Sequence, residues 1–336
     1  MRTGTAQKRK KRSLYVNRRN KKAKTVLLAG LSLLVLLSYF VIKTIVAPGV
    51  SAFSSKSTNA FDKDIYSLLL VEKDQKNAIK TLNLVLVQRT DSKLYSINIS
   101  PFAKVDLPGR LGEEEIGKTL EIGQSLDYAA SKNVLLLDSV TRLVNLHVDR
   151  YLISSGDSFN RIQESIFDKS LEFLLPWQYK KLSQEVETDL STREIYQLAL
   201  FARGLKPNDL EVLNMAEFAD LNLKIRDITL SGDIAKESLG VVILNGTGVS
   251  NLAKSVSDAC QNMGMRVALT ANAENEYQKS YLITNDATTA SAKYLLEYFP
   301  ELKVMDKRSA SSTDEDAVER GDLTVIVGFD IQGRLE

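Results

Sequence analysis

The chain has 336 residues, 44 of them basic and 42 acidic, with one cysteine and one histidine. A single cysteine excludes an intramolecular disulfide, so the fold depends on ordinary hydrophobic cores. Cys260 and His147 alone are too few ligands for a Cys/His zinc site, and a Ser-His-Asp triad would have to use His147. We therefore expect a structural role for His147.

The amino terminus combines a basic tail with an apolar segment. Residues 1–24 contain eleven Lys or Arg and no Asp or Glu, and in residues 25–46 the one charged residue is Lys43. The uncharged stretch 25–42 spans roughly 27 Å as a helix, which matches the hydrocarbon core of a bilayer. Positive charge before such a span predicts a cytoplasmic amino terminus and an extracytoplasmic remainder.

A cleaved signal peptide is the competing interpretation of this segment. Signal peptides have a shorter apolar run, of about 7–15 residues, that ends in a small-residue cleavage site. The run here is longer and Lys43 follows it, although Ala47 and Ala52 leave a cleavage site open. The sequence thus predicts a plasma-membrane protein with one transmembrane helix.

The charge of the remaining chain argues against nucleic acid as a partner. Without the eleven positive charges of the tail, 33 basic residues face 42 acidic ones, so residues 25–336 carry about −9. An acidic surface repels a phosphate backbone. We expect the membrane to be one partner of the chain, through its single span.

The composition predicts two domains after a tether. Residues 47–62 are small and Ser-rich, which is typical of a flexible tether, and the residues that follow suffice for two domains of ordinary size. We assign residues 63–230 to the first domain and 238–330 to the second. Strands alternate with helices in both, so the fold class is α/β, with an α/β/α sandwich followed by a small α/β domain.

Hydrophobic periodicity gives the elements of the first domain in chain order. Strands are predicted at 64–72, 81–88, 93–99, 148–154, 210–215 and 221–225. Helices are predicted at 112–130, 134–146, 158–182 and 191–203, the last capped by Ser191 or by Thr188-Asp189 and stopped by Gly204. Three carboxylates, Glu113 to Glu115, are interpreted as favourable charges at a helix start, and Asp106 as a turn residue before Pro108-Gly109.

The second domain has a clearer pattern. Strands are predicted at 239–244, 265–270, 280–284, 303–305 and 323–328, with helices at 250–263 and 287–299. The order β-α-β-β-α-β-β implies a small sheet with two helices packed on it. Asn245, Gly246, Thr247 and Gly248 form a tight turn between strand and helix. The turn lacks the glycine pattern and the lysine of nucleotide-binding loops. A purely structural role is therefore favoured over binding of a small anion at the helix start.

Several segments of the second domain resemble the LytR C-terminal domain. They are residues 242–248 (VILNGTG), Leu252-Ala253, 263–267 (MGMRV) and 322–328 (DLTVIVG). The resemblance covers about residues 238–330. The order of segments along the chain resembles that of proteins of the LytR–CpsA–Psr family: a basic tail, a single span, an α/β domain and a small C-terminal domain.

The first domain resembles the catalytic domain of that family over about residues 64–225. The resemblance rests on residues 68–71, 81–87, 97–99, 105–109, 148–151 and 186–191. Members of the family transfer a glycopolymer from a polyprenyl-pyrophosphate carrier to the cell wall. The resemblance implies arginines that hold the pyrophosphate and acidic residues that bind Mg²⁺ and assist the incoming hydroxyl.

The sequence departs from the family at these positions. The Arg-Ser-Asp-Thr segment of the family falls on residues 78–81, where Ala78 and Lys80 replace its Arg and Asp. The Ile-Pro-Arg-Asp segment falls on residues 99–102, where Pro101 and Phe102 replace its Arg and Asp. In the later arginine-rich segment, Arg161 remains and Glu164 reverses the second charge. The domain is therefore shortened and degenerate, and neither a metal site nor a cofactor is expected.

Two functions from different classes remain open. The first is a non-catalytic envelope protein that acts as a scaffold or binding module, with an envelope glycopolymer, a polyprenyl-phosphate lipid or another envelope protein as partner. The second is an active polyprenyl-pyrophosphate glycopolymer transferase with a relocated site. The candidates for binding a lipid phosphate are Lys80, Lys104, Arg110 and Arg161. The alternative is that these four are ordinary surface cations without a ligand.

Overall fold

The computed structural model describes residues 59–126, 133–167, 186–215, 221–230, 232–309 and 315–335. These residues belong to one compact unit, Phe53–Glu336. The predicted tail, transmembrane helix and most of the tether lie outside the described residues, as do the last residues of the helix expected at 158–182. Within the described part of the chain, no helix combines the length and apolar composition needed to cross a bilayer.

The first half of the described chain contains eight strands, six of which form one mixed sheet in the order β7-β6-β1-β2-β3-β8. β1, β2 and β3 form an antiparallel meander, and β6 and β8 add in parallel beside β1 and β3. The strands are β1 (Ile65–Lys73), β2 (Ile79–Gln88), β3 (Lys93–Ile99), β4 (Lys104–Leu107), β5 (Gly112–Glu115), β6 (Arg150–Ser154), β7 (Val186–Thr188) and β8 (Leu210–Asn214).

The central strands of this sheet are buried on both faces. Residues 65–71 of β1 and 82–88 of β2 are all buried, which explains why they appear in the sequence as apolar runs and not as alternating patterns. Every strand predicted before residue 215 is confirmed to within two residues. The sheet therefore supplies a rigid frame for the side chains at its edges.

The helices of this half are α1 (Thr119–Ser125), α2 (Val134–Val144), α3 (Asp157–Phe167), α4 (Thr192–Gly204) and α5 (Leu221–Thr229). The helix predicted at 191–203 is confirmed with Ser191 as its cap. The Ser191 hydroxyl accepts from the Glu194 amide at 3.2 Å, and Glu194 in turn accepts from the Ser191 amide at 2.8 Å, a capping box.

Two secondary-structure predictions in this half are wrong. Residues 221–225 belong to helix α5: Leu221, Ile225 and Ile228 are buried at helical spacing, while Leu223, which gave the alternating pattern, is exposed. Residues 112–115 form β5, which pairs with β4 in a two-stranded ribbon.

The carboxylates of that ribbon end at a helix start: Glu115 directly precedes the short 3-10 helix Ile116–Lys118, which leads into α1. Glu114 lies 3.0 Å and Glu115 3.5 Å from the Lys118 ammonium. Asp106 lies on β4 and forms an ion pair with Arg142 at 2.9 Å, so it is not a turn residue.

The second half forms a five-stranded sheet in the order β10-β9-β13-β11-β12. Its strands are β9 (Gly240–Asn245), β10 (Arg266–Asn272), β11 (Tyr281–Thr284), β12 (Lys303–Met305) and β13 (Leu323–Val327). Only the pair of β11 with β13 is antiparallel. All five strands match predicted ones, so this part of the sequence specifies its strands almost without ambiguity.

Four helices accompany the second sheet: α6 (Asp233–Glu237), α7 (Leu252–Asn262), α8 (Ala290–Tyr298) and α9 (Phe329–Leu335). α7 and α8 confirm the two predicted helices, and the order β-α-β-β-α-β-β is confirmed between residues 240 and 327. α6 and α9 were not predicted, because they are too short to show a clear apolar period.

The two sheets share one hydrophobic core, and Asn262 connects three helices at their junction. The fully buried Asn262 donates to the carbonyl of Val144 at 2.9 Å and to Asn222 at 2.8 Å. Its side-chain oxygen accepts from Arg226 at 2.9 Å, and its carbonyl accepts from Thr229 at 2.7 Å. Because every polar group of this buried amide is bonded, α2, α5 and α7 are held in one arrangement.

Candidate binding cleft

A cleft of about 1170 Å³ lies between the two halves. The first half contributes the segment leading into β1, the segment leading into β6, and one face of α2. The second half contributes α6, α8 and the end of α9. Clefts of this size between packed units are common ligand sites, and this one mixes an apolar wall with converging charges.

The charges that line the cleft are predominantly negative. The described residues of the lining include eight carboxylates and four cations. The carboxylates are Asp62, Asp64, Asp138, Asp149, Asp189, Asp233, Glu297 and Glu301; the cations are Lys63, Arg150, Lys293 and Arg334. A cleft with this excess of negative charge favours cationic groups over anionic ones.

The first charged cluster joins the two halves through Lys63. Its ammonium contacts Asp149, at the entry to β6, and Glu297, on α8. Burial alone would lower the pKa of Lys63, but the charges of Asp149 and Glu297 and the hydrogen bonds to them outweigh it and raise the pKa. Ser67 fixes the Asp149 carboxylate with its amide at 2.8 Å and its hydroxyl at 2.9 Å.

His147 belongs to the same cluster. Its backbone amide donates to the hydroxyl of Tyr294 on α8 at 3.2 Å, and its ring lies 6.4 Å from the ring of Tyr298. Burial lowers the pKa of His147 below its usual value of 6.5, so the ring is neutral at pH 7. One nitrogen atom of each neutral imidazole carries a free lone pair.

The second cluster is a buried ion pair between Arg150 on β6 and Glu194 on α4. The two side chains are 8% and 1% exposed and lie 3.0 Å apart. Glu194 also accepts from the amide of Ala60 at 2.8 Å, which fixes the segment that enters the cleft. Burial would raise the pKa of Glu194, but hydrogen bonds from Ser191 and Arg150 lower it overall.

The third cluster lies at the other end of α8, where Arg334 forms ion pairs with two carboxylates. It lies 3.5 Å from Asp138 on α2 and 3.6 Å from Glu301. Burial raises the pKa of Asp138, because desolvation exceeds the attraction of Arg334. Like the Lys63 cluster, this one pairs a single cation with two carboxylates across the junction of the halves.

The four cations predicted to bind a lipid phosphate do not line the cleft. Lys80 lies on β2, Lys104 at the start of β4, Arg110 in the turn between β4 and β5, and Arg161 on α3. All four side chains are exposed. Lys104 and Arg110 lie toward opposite ends of the β4-β5 ribbon, so the structure does not join these two in one site.

The positions that correspond to the family's Arg and Asp do not form a cluster of charged side chains. Ala78 closes a turn, its amide donating to Asp74 at 2.9 Å. The carbonyl of Pro101 accepts from Gly117 at 2.8 Å, and Phe102 is 77% exposed. With Lys80 exposed on β2, none of these four positions brings a carboxylate or guanidinium toward the others.

The predicted turn of the C-terminal half is closed on itself. The Asn245 side-chain oxygen accepts from the amide and hydroxyl of Thr247 at 3.1 and 2.8 Å, and its amide group donates to the carbonyl of Val249 at 2.8 Å. A Cβ on Gly246 would lie 2.6 Å from the Tyr277 ring, and Gly248 has φ +68°. These bonds use the polar groups of the turn internally, which favours the structural interpretation.

The cleft residues were mostly missed by sequence reasoning. The sequence does show His147 and Asp149 two residues apart before a strand, a spacing that places both side chains on one face. Lys63 and Glu297 carry no local signal, because they meet these residues only through the packing of α8 against the first half.

Comparison with known proteins identifies the C-terminal half. Residues 238–330 match the family model described as "LytR cell envelope-related transcriptional attenuator". The match covers the whole second sheet from β9 to β13, and it confirms the resemblance drawn from the sequence. Comparison with curated proteins gives no match.

Solved structures overlap the chain more loosely. The transcriptional regulator yvhJ from Bacillus subtilis is 14% identical, with 45% of this chain and 82% of that one covered and a TM-score of 0.33. B. subtilis TagV is 12% identical, with 45% and 84% covered and a TM-score of 0.34.

The LytR-CPS2A-psr family protein YwtF (TagT), with bound octaprenyl pyrophosphate lipid, is 17% identical, with 48% and 81% covered and a TM-score of 0.33. Overlaps of this size carry no conclusion about what this chain binds. The family model supports a firmer statement, because residues 238–330 match the LytR C-terminal domain along its β-α-β-β-α-β-β order.

Proposed function

We propose that the protein is a membrane-anchored, extracytoplasmic cell-envelope protein that binds an envelope component and does not transfer it. In this role it is a non-catalytic relative of glycopolymer ligases. The observation that carries the proposal is the LytR C-terminal domain at residues 238–330, whose family is described as cell-envelope-related.

The location is supported by the amino-terminal sequence. A basic tail before an apolar segment of eighteen uncharged residues favours a span with its amino terminus inside. The acidic charge of the rest of the chain agrees with a domain that remains outside the cytoplasm, where nucleic acid is absent.

The absence of catalysis is supported by the residues at the positions that correspond to the family's Arg and Asp. A phosphoryl-transfer site needs fixed positive charge at the leaving pyrophosphate and carboxylates that hold Mg²⁺. Ala78, Pro101 and Phe102 supply neither, and Lys80 supplies one exposed charge.

Binding is supported by the cleft between the halves. It is large enough for part of a glycan or a peptide segment of a partner, its excess of carboxylates favours neutral or cationic groups, and its polar groups are held by hydrogen bonds. An envelope glycopolymer, a polyprenyl-phosphate lipid and another envelope protein are the proposed partners.

The cleft also favours one second candidate, a transferase with a relocated site. His147, Lys63 and two carboxylates meet there and could act as base, anion holder and metal ligands. This candidate predicts turnover that depends on the cleft and not on Arg161.

The two candidates are separated by incubating the full-length chain in membranes with Mg²⁺ and a glycopolymer linked to polyprenyl pyrophosphate. Release of the polyprenyl product is measured by mass spectrometry. We expect none above the no-protein background. Turnover that Arg161→Ala abolishes would contradict the proposal, and turnover that His147→Gln abolishes would establish the relocated site.

A further inference from the structure

The cluster at the junction of the two halves has the composition of a metal site. His147, Asp149 and Glu297 each present a ligand atom, and these atoms all lie within 4.8 Å of one another. A zinc ion binds its ligands at about 2.0–2.2 Å, which places ligand atoms roughly 3–4 Å apart. Glu297 is exposed, so its side chain has room to adjust.

The aspartate is already oriented as a metal ligand would be. Both hydrogen bonds from Ser67 go to Oδ2 of Asp149, so Oδ1 is the oxygen that faces the cluster. The Ser67 hydroxyl is itself held, because it accepts from the Asp149 amide at 2.8 Å, and its single proton can go to the His147 carbonyl at 2.6 Å or to Oδ2 of Asp149 at 2.9 Å. Outer hydrogen bonds of this kind orient the ligands of functional metal sites.

The imidazole of His147 is the second observation that points to a ligand. Neither ring nitrogen forms a hydrogen bond with the part of the chain that the structure describes, although the ring lies in a charged cluster. An imidazole nitrogen is a common zinc ligand in proteins.

The ammonium of Lys63 already occupies the position that a metal ion would take. Its single positive charge contacts both carboxylates, so the cluster of two carboxylates, one ammonium and a neutral imidazole carries a net charge of −1. A divalent ion would balance the two carboxylates fully. The Lys63 side chain is 32% exposed and flexible, so it can withdraw into solvent.

We propose that His147, Asp149 and Glu297 form a divalent transition-metal site of the zinc type, and that the ammonium of Lys63 holds this place when no metal is bound. The mixed nitrogen and oxygen donors favour Zn²⁺ over Mg²⁺, which prefers oxygen ligands and retains its water. Three protein ligands leave one position of a tetrahedral ion open toward the cleft.

The site also has a mechanical consequence. His147 and Asp149 belong to the first half, whereas Glu297 lies on α8 in the LytR C-terminal domain. An ion bound by all three residues replaces a lysine bridge with three coordinate bonds across the junction. Zinc binding therefore stabilises the closed arrangement of the two halves, independently of any glycopolymer.

The proposal is tested by titrating the metal-free full-length chain with Zn²⁺ in a calorimeter, with Mg²⁺ as the comparison ion. We expect one saturable Zn²⁺ site per chain and no comparable Mg²⁺ binding. His147→Gln and Glu297→Gln are each expected to weaken Zn²⁺ binding at least tenfold. Ser67→Ala is expected to weaken it about 10–100-fold, as for other second-layer partners.

Two further variants separate the site from general charge effects. Lys63→Met removes the competing ammonium and keeps most of the side-chain volume, so it is expected to tighten Zn²⁺ binding at least tenfold. Asp62→Asn removes a carboxylate of the same cleft outside the cluster and is expected to leave the affinity unchanged. Circular dichroism confirms that each variant folds.

The outcome that overturns the proposal is equally defined. Absence of saturable Zn²⁺ binding in both the wild type and Lys63→Met would show that His147, Asp149 and Glu297 do not form a zinc site, even without the competing ammonium. Binding that His147→Gln and Glu297→Gln leave unchanged would place the ion elsewhere. Zinc-dependent stabilisation seen as a rise in Tm, lost in Glu297→Gln, supports the site by a second measurement.

Discussion

Replacement of Glu194 by glutamine tests the most buried charge of the structure. The Glu194→Gln substitution keeps the shape of the side chain but leaves Arg150, 8% exposed, without its opposite charge. It also turns one acceptor into a donor beside the amide and hydroxyl of Ser191, which now donate to Glu194 at 2.8 and 2.7 Å. Removing one partner of a buried pair costs about 3–5 kcal/mol.

The loss is measured by urea unfolding of the full-length chain, followed by circular dichroism. With an m-value of about 3 kcal/mol/M, a loss of about 3 kcal/mol lowers the midpoint by about 1 M. The pKa of Glu194 is lowered from 4.5 in the folded protein, so its contribution is present above pH 4.5 and is lost as the pH falls below it. The difference between wild type and variant should shrink accordingly.

Glu114→Gln is the matched control. Glu114 pairs with Lys118 at 3.0 Å, but both side chains are more than a third exposed. Exposed pairs of this spacing contribute little to stability, because solvent screens them. A midpoint for Glu194→Gln that is no lower than that of Glu114→Gln would refute the assignment of a stabilising buried ion pair.

Three further predictions concern single residues. Because the pKa of His147 lies below 6.5 in the folded protein, unfolding becomes easier as the pH falls below 6.5; His147→Gln should flatten this dependence in pH-resolved urea titrations. Burial raises the pKa of Cys260 to about 12, so a maleimide should label it only in denaturant, and labelling of the folded chain would contradict its position. A Cβ on Gly246 meets Tyr277 at 2.6 Å, so Gly246→Ala should lower stability by about 1–3 kcal/mol in thermal unfolding, whereas Gly204→Ala, with open space around it, should not.

The strands of this protein are predictable from its sequence because their apolar runs are continuous and their turns are well marked. β2 and β3, for example, are joined by the polar residues 89–92, and β9 ends in a glycine-containing turn. The Ser191 cap and Gly204 end likewise mark α4 locally. Such signals depend only on neighbours in the chain.

The errors arise where local patterns are ambiguous or where distant contacts decide. Five alternating residues at 221–225 fit a strand, and only the burial of Ile228 shows the helical period. The cleft is beyond local reasoning altogether. Lys63 and Glu297 are 234 residues apart, and no feature of either neighbourhood indicates that they meet.

Topology is the most direct test of the proposed envelope role. Because Cys260 is the single cysteine and is buried, the wild-type chain gives no labelling background in a folded state. Lys254→Cys introduces an exposed thiol on α7, and Thr5→Cys introduces one in the basic tail.

Spheroplasts that express either variant are treated with a membrane-impermeant maleimide. We predict that Lys254→Cys is labelled in intact spheroplasts and Thr5→Cys only after permeabilisation. Labelling of Lys254→Cys only after permeabilisation would place the cleft in the cytoplasm, out of reach of every proposed envelope partner, and would contradict the account.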